Sequence, residues 1–351
     1  INVAGMKWFS KEDLISMDIS ELNFAKKKKG KKPDNQQNIV PPVLTRRHCV
    51  SKVAEIFDLL GKITPITATM KMDLHTLVER GLDWDKLPDN LRPLWVSHFE
   101  MMQEIGKLKF KRIIVPADAV TLDINTIEAA DASNKIACVA IYARFLKKDG
   151  DYSCQLIFSR SKIVPDGLSQ PRAELFAATM NSHTGDIVKR SLQNRHKERV
   201  KLTDSQVVLH WINNYDKPMK QWVRNTVVEI NRFTETSEWM FVNSANMIAD
   251  IGTRRVEDIK LVDQNSTWIN GFEWMKKNKI HFPTKTITEI TLSNKEISEV
   301  QKENLAKYSQ DINEICYKLN EENKASYSAI SIHNPNDEQK CNIPNEVNQC
   351  Y

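Results

Sequence analysis

The chain lacks a hydrophobic run long enough to cross a membrane, and it lacks the commonest phosphate-binding loop. No stretch of 18 consecutive apolar residues occurs among its 351 residues, which argues against a typical transmembrane helix. A G-x-x-x-x-G-K pattern is also absent, which argues against a P-loop nucleotide site. We therefore expect no membrane partner and no P-loop chemistry.

Cysteine is sparse, and its spacing indicates neither a zinc site nor a disulfide framework. Six cysteines lie at positions 49, 138, 154, 316, 341 and 350, without any C-x-x-C pair. In a chain of this size, such scattered cysteines are typical of reduced thiols, several of them in apolar runs where they would serve as core residues. We expect a reducing compartment, either the cytoplasm or the nucleus.

Charge is nearly balanced, so the net charge of +5 does not by itself predict binding to nucleic acid. One local feature stands out, because six lysines fall within residues 26–32. Such a block attracts polyanions without reading their sequence. It is equally typical of a loop that is kept soluble by its charge, and the sequence leaves both interpretations open.

The periodicity of apolar residues divides the chain into regions of different texture. A strand pair is predicted before residue 24, and three helices with apolar faces are predicted between residues 45 and 104. From residue 113 three runs rich in β-formers precede alternating helices and strands, which predicts an α/β fold with a mixed five-stranded sheet and flanking helices. Beyond residue 284 the chain is polar, with one amphipathic helix predicted between Ile297 and Leu319.

Four acidic residues stand at the ends of predicted elements in the β-rich region: Asp131, Glu174, Asp204 and Asp250. Asp204 separates a strand from a helix, where it could cap the helix or bind a metal at the carboxyl end of a strand. Glu174 could simply be an acid near a helix N-terminus, where the helix dipole stabilises a negative charge. Each acid alone has such a structural explanation. In this order, and in a strand-strand-strand-helix-strand-helix frame, the four together indicate one shared site.

The stretches around these acids carry a resemblance to known families. EAADAS, PRAEL, LTDSQVVLHWI and MIADIGTRR resemble the four motifs of the ribonuclease H fold. More closely, the chain resembles the polyprotein of BEL/Pao-type long-terminal-repeat retrotransposons. INVAGMKW resembles the last strands of the polymerase palm, VSKVAEIFDLLGKITPITATMKM the stretch after the palm, and QNSTWINGFEWM the segment after the ribonuclease H domain.

Two departures from the family pattern are visible. Leu59 stands where proline is usual, which should affect only a helix end. Met247 stands where many relatives have asparagine, with Asn246 one residue earlier, and this could leave Asp250 less well oriented. The chain begins with Ile1, and we expect a fragment or processed product.

The resemblance implies a domain organisation. Residues 1–112 would comprise the end of the palm and a helical thumb and connection region, and residues 113–256 a ribonuclease H-like domain. Residues 257–284 would follow that domain. The resemblance weakens beyond about residue 276, and it is the polar composition that predicts a partly disordered tail with one amphipathic helix at residues 285–351.

The resemblance also implies a chemistry, namely metal-dependent cleavage of the RNA strand of RNA–DNA hybrids. Converging carboxylates repel one another unless cations lie among them, and hard oxygen ligands favour Mg²⁺ or Mn²⁺. We expect two Mg²⁺ ions, with Mn²⁺ as a substitute. Asp131 would bridge them, Glu174 and Asp204 would bind one ion, and Asp250 would bind the other.

A further set of side chains is expected to contact the nucleic acid: Ser133, Asn134, Gln206, Lys220, Trp222, Arg224, Arg254 and Arg255. For Trp222 and for Trp211, core packing at helical spacing is the competing interpretation. The remainder of the retroelement polyprotein, with its polymerase palm and integrase, is the implied protein partner. The implied location is a cytoplasmic particle or the nucleus.

Other retroelement activities are not expected from this chain. A polymerase palm needs two adjacent aspartates, and no such pair occurs. An integrase would need a His/Cys zinc site and acids in the order Asp-Asp-Glu, and neither is present. The alternative to an active nuclease is a catalytically inactive retroelement-derived fragment that binds nucleic acid or a partner protein.

Overall fold

The computed structural model of the protein describes residues 2–3, 5–19, 22, 24 and 40–304. The lysine block at 26–32 and the part of the predicted tail helix beyond residue 304 lie outside these residues. The described residues up to Glu303 form one compact unit. The predicted domain boundaries within this unit stay predictions.

A small antiparallel sheet opens the chain and is completed by a distant strand. Its strands, in the order in which they pair, are β1 (Asn2–Val3), β2 (Met6–Phe9), β3 (Leu14–Met17) and β4 (Phe110–Lys111). Since β4 follows the helical region in sequence, the sheet joins the two ends of that region.

Among the described residues between β3 and β4, three α-helices occur: α1 (Arg46–Ala54), α2 (Thr64–Glu79) and α3 (Arg92–Ile105). The link between α1 and α2 is anchored by Asp58, whose carboxylate accepts hydrogen bonds from the amides of Lys62 and Ile63 at 2.9 and 2.8 Å. This link also touches the main sheet, because the Leu60 carbonyl accepts a hydrogen bond of 3.1 Å from the amide of Ser159, a residue of that sheet. The helical region is therefore fastened to the sheet that follows it.

The main sheet has six strands rather than the predicted five. They are β5 (Ile124–Ala132), β6 (Ile136–Leu146), β7 (Tyr152–Ile163), β8 (His196–Thr203), β9 (Trp239–Val242) and β10 (Thr284–Thr286), in the spatial order β10-β9-β8-β5-β6-β7. Strands β5, β8 and β9 are parallel, and the other pairings are antiparallel. The extra strand β10 is short and polar, so its sequence has no alternation of apolar and polar residues that would predict a strand.

Both faces of this sheet are covered, which explains why β6 is apolar from Ile136 to Ala143 and does not alternate with polar residues. The remaining helices are α4 (Gln170–Leu192), α5 (Gln206–Asn213), α6 (Gln221–Phe233), α7 (Thr267–Asn270) and α8 (Asn294–Glu303). Helix α4 packs along β5 and β6. On the other face the Tyr142 hydroxyl donates to the Trp268 carbonyl at 2.7 Å.

Within the described residues, no helix combines the length and the apolar character that crossing a lipid bilayer requires.

Candidate active site

Asp131 lies one residue before the end of β5, as the sequence predicted. Its carboxylate is half-buried and accepts a hydrogen bond of 2.5 Å from the Thr253 hydroxyl. Thr253 follows the turn that carries Asp250, so this hydrogen bond ties two distant acids to one another. The orientation of Asp131 is thus fixed from outside its own strand.

Asp204 occupies the junction between β8 and α5, and the structure answers which residue caps that helix. Ser205 is the N-cap, and its hydroxyl accepts a hydrogen bond of 3.2 Å from the Val208 amide. The Asp204 carboxylate instead accepts a hydrogen bond of 2.7 Å from the Ser244 hydroxyl. Asp204 is therefore not needed for capping.

Because β5 and β8 are parallel neighbours, their carboxyl ends reach the same edge of the sheet. Asp131 and Asp204 both stand at this edge. Of the two strands that flank β5, β6 is antiparallel to it and β8 is parallel to it. Such an edge is where open α/β sheets commonly place ligands.

Glu174 projects from the beginning of α4 over the same edge. The helix starts at Gln170 with proline in its first turn, so Glu174 lies in the second turn rather than in the predicted first. The side-chain amide of Gln170 donates to the Ala132 carbonyl at 2.7 Å and to the Glu174 carboxylate at 3.2 Å. Gln170 thereby links the helix start to the end of β5, next to Asp131.

Asp250 lies in a 3₁₀ turn, Ile248–Gly252, where the sequence predicted a helical element. Gly252 packs so closely on the Cys138 thiol of β6 that any β-carbon there would collide with it. The Met247 side chain is buried in the core and cannot replace the amide of an asparagine, but Arg254 forms an ion pair of 2.6 Å with the Asp250 carboxylate. Asp250 thus lacks the asparagine neighbour expected at position 247 and is bound by Arg254 instead.

The pKa values show that these acids act on one another. Burial raises the pKa of Asp131 to about 6, and the charges of Asp204 and Asp250 add to the rise, although the Thr253 hydrogen bond opposes it. Burial likewise raises the pKa of Glu174 to about 7, with contributions from the charges of Asp204 and Asp131, against hydrogen bonds from Ser205 and Gln170. The pKa of Asp204 is also raised, first by burial and then by Asp250, against the Ser244 hydrogen bond. The four acids form one electrostatic cluster.

The carboxylate oxygens of the four acids lie farther apart than the ligand atoms of a site in which three acids share one ion. Among the described residues, His75, Glu79 and Asp166 are the only three potential ligands whose donor atoms all lie within 4.8 Å of one another. No three of the four clustered acids meet that limit. The four carboxylates therefore do not form a compact three-acid metal site in this structure.

A cleft of about 580 Å³ opens beside Glu174 and Asp204, and helix α8 forms its opposite wall. Helix α8 is held by Arg172, which donates to the Glu303 carboxylate at 3.0 and 2.7 Å. Val300 of α8 is buried against the cluster of apolar residues from α5 and α6. A helix from the predicted tail region thus borders the acids, and nothing in the sequence indicated this.

The structure places the predicted nucleic-acid contacts in different settings. Three are polar side chains next to the acids: Ser133 and Asn134 lie in the turn after β5, and Gln206 begins α5. The Ser133 hydroxyl accepts hydrogen bonds from the amides of Lys135 and Ile136 within that turn. Asn134 is exposed and Gln206 half-buried. Their predicted role stays a prediction.

The other predicted contacts lie near α6 and the Asp250 turn. Arg224 is exposed, and the Lys220 amide donates to the Glu303 carbonyl at 2.8 Å. Trp222 is half-buried beneath the Arg172 guanidinium, which lies 5.3 Å from its ring, whereas Trp211 is fully buried. Arg254 and Arg255 both pair with aspartates of the chain.

Sequence reasoning missed the side chains that hold the acids. Thr253, Ser244 and Gln170 each bind a site acid or the strand beside it, from positions 122, 40 and 38 residues away from their partners. No short-range pattern reports such contacts. Only Ser205 stood in a recognisable signal, the Thr-Asp-Ser that precedes α5.

The raised pKa of Glu174 leads to a prediction for the metal-free protein. Because the folded state holds this proton more tightly than the unfolded state, wild-type stability should fall as pH rises from the usual glutamate pKa to about 7. Glu174→Gln removes the titration, so its stability advantage over wild type should grow between pH 5 and pH 8, to roughly 1–2 kcal/mol. Urea unfolding in the presence of a chelator measures the difference, and an advantage that is equal at both pH values would contradict the prediction.

The strand order, the helix across the sheet and the acids at one edge define a ribonuclease H-like α/β protein. Residues 45–205, which include α1–α3 and three of the four acids, match the family model of the Pao retrotransposon-like RNaseH-like domain. The resemblance to BEL/Pao retrotransposons that the sequence predicted is thereby confirmed. A search of curated protein sequences found no match.

Solved structures also match the chain at low identity. One is a foamy viral protease-reverse transcriptase in complex with double-stranded DNA, with 13% identity and a TM-score of 0.36 over 59% of this chain and 33% of the viral one. Another is a ribonuclease H1 isolated from compost by a metagenomic approach, with 13% identity and a TM-score of 0.26 over 38% of this chain and 93% of the other. The match thus spans about a third of the viral protein.

Proposed function

We propose that this chain is the ribonuclease H part of a retrotransposon reverse transcriptase and cleaves the RNA strand of RNA–DNA hybrids. The observation that carries the proposal is the electrostatic cluster of Asp131, Glu174, Asp204 and Asp250. Four carboxylates from separate elements share one sheet edge, and burial, with a smaller contribution from their mutual charge, raises the pKa of three of them.

The donor set fits divalent cations. The acids supply oxygen ligands, which suit Mg²⁺ or Mn²⁺ better than softer metals. A bound cation would stabilise the charged form of these buried acids and offset the repulsion between them. Asp131, Glu174, Asp204 and Asp250 would hold two such ions, which when bound supply an activated water and stabilise the leaving oxygen of a phosphodiester displacement.

The chain's own residues would prepare this site for substrate. Thr253 and Ser244 hold two of the carboxylates by hydrogen bonds, which fixes the orientation of Asp131 and Asp204. The exposed Asn134 and the half-buried Gln206 flank the acids and offer amides that can bond to 2′-hydroxyl groups in a minor groove. Such contacts distinguish RNA from DNA without reading base sequence. The palm and integrase of the same polyprotein are the proposed protein partners.

A cleavage assay on the full chain tests this proposal. An RNA–DNA hybrid with a label on either strand is incubated with Mg²⁺ or Mn²⁺, beside double-stranded DNA and double-stranded RNA. We expect cleavage of the hybrid RNA strand only, and its complete loss with a chelator. Salt-dependent binding of the hybrid without cleavage in either metal would favour the inactive, nucleic-acid-binding alternative.

A further inference from the structure

The turn that carries Asp250 has little regular structure to fix it. Residues 248–252 form a 3₁₀ turn, and residues 253–256 continue without helix or strand. The position of Asp250 relative to the other acids is therefore set by packing, through the buried Ile248 and Ala249 and the close contact of Gly252 with Cys138, together with the contacts that flank this turn.

Three consecutive residues after the turn each bind a different aspartate. Thr253 donates to Asp131, and Arg254 pairs with Asp250. Arg255 donates two hydrogen bonds, at 2.9 and 2.8 Å, to the two carboxylate oxygens of Asp73. Two of these aspartates belong to the site, and the third lies on α2, in the helical region that precedes the main sheet.

Asp73 is itself firmly held. Its side chain is 10% exposed, and one carboxylate oxygen lies 2.6 Å from Nε2 of His98 on α3. Burial alone would raise the pKa of Asp73, but the hydrogen bonds from His98 and Arg255 lower it below its usual value. Asp73 is therefore a charged, oriented acceptor for Arg255.

A second contact from α2 reaches the same segment. The Thr69 hydroxyl accepts a hydrogen bond of 2.9 Å from the Val256 amide. Thr69 and Asp73 are one helical turn apart, so α2 grips two successive residues after the Asp250 turn. Bidentate arginine–carboxylate pairs fix geometry as well as adding energy.

We propose that Asp73 is a positioning residue for the site, holding the turn of Asp250 and the Thr253 hydroxyl through its paired hydrogen bonds to Arg255. The inference rests on the proposed function, since it takes the four acids to bind cations. It extends that function, because it makes the site depend on the helical region and not on the ribonuclease H-like sheet alone.

The test compares the full chain with Asp73→Asn, Arg255→Gln and the double variant. Mn²⁺ binding is followed by electron paramagnetic resonance, and amide hydrogen exchange of residues 248–256 by mass spectrometry. We expect each single variant to weaken Mn²⁺ binding roughly tenfold, as the loss of an outer partner of a metal ligand usually does. The double variant should be no weaker than either single one, because both remove the same link.

A matched control separates positioning from general stability. Arg199 and Glu238 form another partly buried ion pair, at 2.6 Å, and Glu238 is in neither the site nor the turn. Glu238→Gln should lower thermal stability as Asp73→Asn does, with unchanged Mn²⁺ affinity and unchanged exchange in residues 248–256. If Asp73→Asn behaves like this control, Asp73 is only structural and the proposal is overturned.

Asp131→Asn distinguishes this failure from failure of the proposed function. If wild type binds Mn²⁺ no better than Asp131→Asn, the proposed cation site is wrong, and the positioning proposal, which assumes it, is overturned with it. If binding depends on Asp131 but not on Asp73, only the positioning proposal fails. Hydrogen exchange reports the turn independently of any metal, so unchanged exchange in Asp73→Asn also overturns it.

Discussion

Asp131→Asn should reduce metal-dependent cleavage of the RNA strand in an RNA–DNA hybrid by more than about 100-fold, with the fold intact. Even the loss of an outer partner of a metal ligand costs roughly 10–100-fold, and Asp131 is the acid that the charges of both Asp204 and Asp250 reach. The asparagine keeps the size of the side chain and one oxygen that can accept the Thr253 hydrogen bond. The variant therefore removes the charge and leaves the packing.

The measurement is single-turnover cleavage of a labelled hybrid in saturating Mg²⁺. Asp186→Asn is a suitable control, because Asp186 is a partly buried acid on α4 that pairs with Arg190 outside the cluster. We expect wild-type rates from the control and circular dichroism spectra that match for all three proteins. Cleavage by Asp131→Asn at the wild-type rate would refute the role of this carboxylate.

The positions of the acids were predictable because each follows a local pattern. An apolar strand that ends in an acid, or a proline-led helix with an early acid, places the carboxylate at an element end whatever the remainder of the fold does. Asp131 and Asp204 follow this logic, and the parallel pairing of β5 and β8 then brings them to one edge. The resemblance to ribonucleases H supplied the expectation that Asp250 joins them.

The contacts that hold the acids were not predictable, because they join residues far apart in sequence. Arg255 was expected to bind nucleic acid because it follows the last of the four acids. In the structure it pairs with Asp73, 182 residues away, at 2.8–2.9 Å, and more loosely with the nearby Glu257 at 3.4 Å. Strand β10 was missed for a related reason: a short polar segment becomes a strand only because the edge of β9 is available to pair with it.

Buried lysines were also missed, because a lysine in a sequence is normally interpreted as a surface residue. Lys201 of β8 is fully buried and pairs with the fully buried Glu128 of β5. It also donates to the side-chain oxygen of Asn181 on α4 at 3.0 Å. The amide of Asn181 in turn donates to the Glu128 carbonyl at 2.8 Å.

The residues of this network lie on the same three elements as Asp131, Glu174 and Asp204. Glu128 and Lys201 are directly paired across β5 and β8, three residues before Asp131 and Asp204 respectively. Asn181 follows Glu174 on α4 by two helical turns. The buried pair therefore sets the register of the three elements that carry three of the acids.

Lys201→Met should lower the free energy of unfolding by roughly 3–5 kcal/mol, because it leaves the Glu128 carboxylate buried without its charged partner. Lys201→Met combined with Glu128→Leu should recover most of this loss, since an apolar pair of similar volume no longer buries a charge.

Urea unfolding measures the free energy of unfolding of both variants, with Lys197→Met as the control. Lys197 lies on the same strand, half-exposed and 3.7 Å from Asp123, and its loss should cost less than about 1 kcal/mol. A cost for Lys201→Met no larger than that of the control would show that the buried pair does not hold β5 against β8.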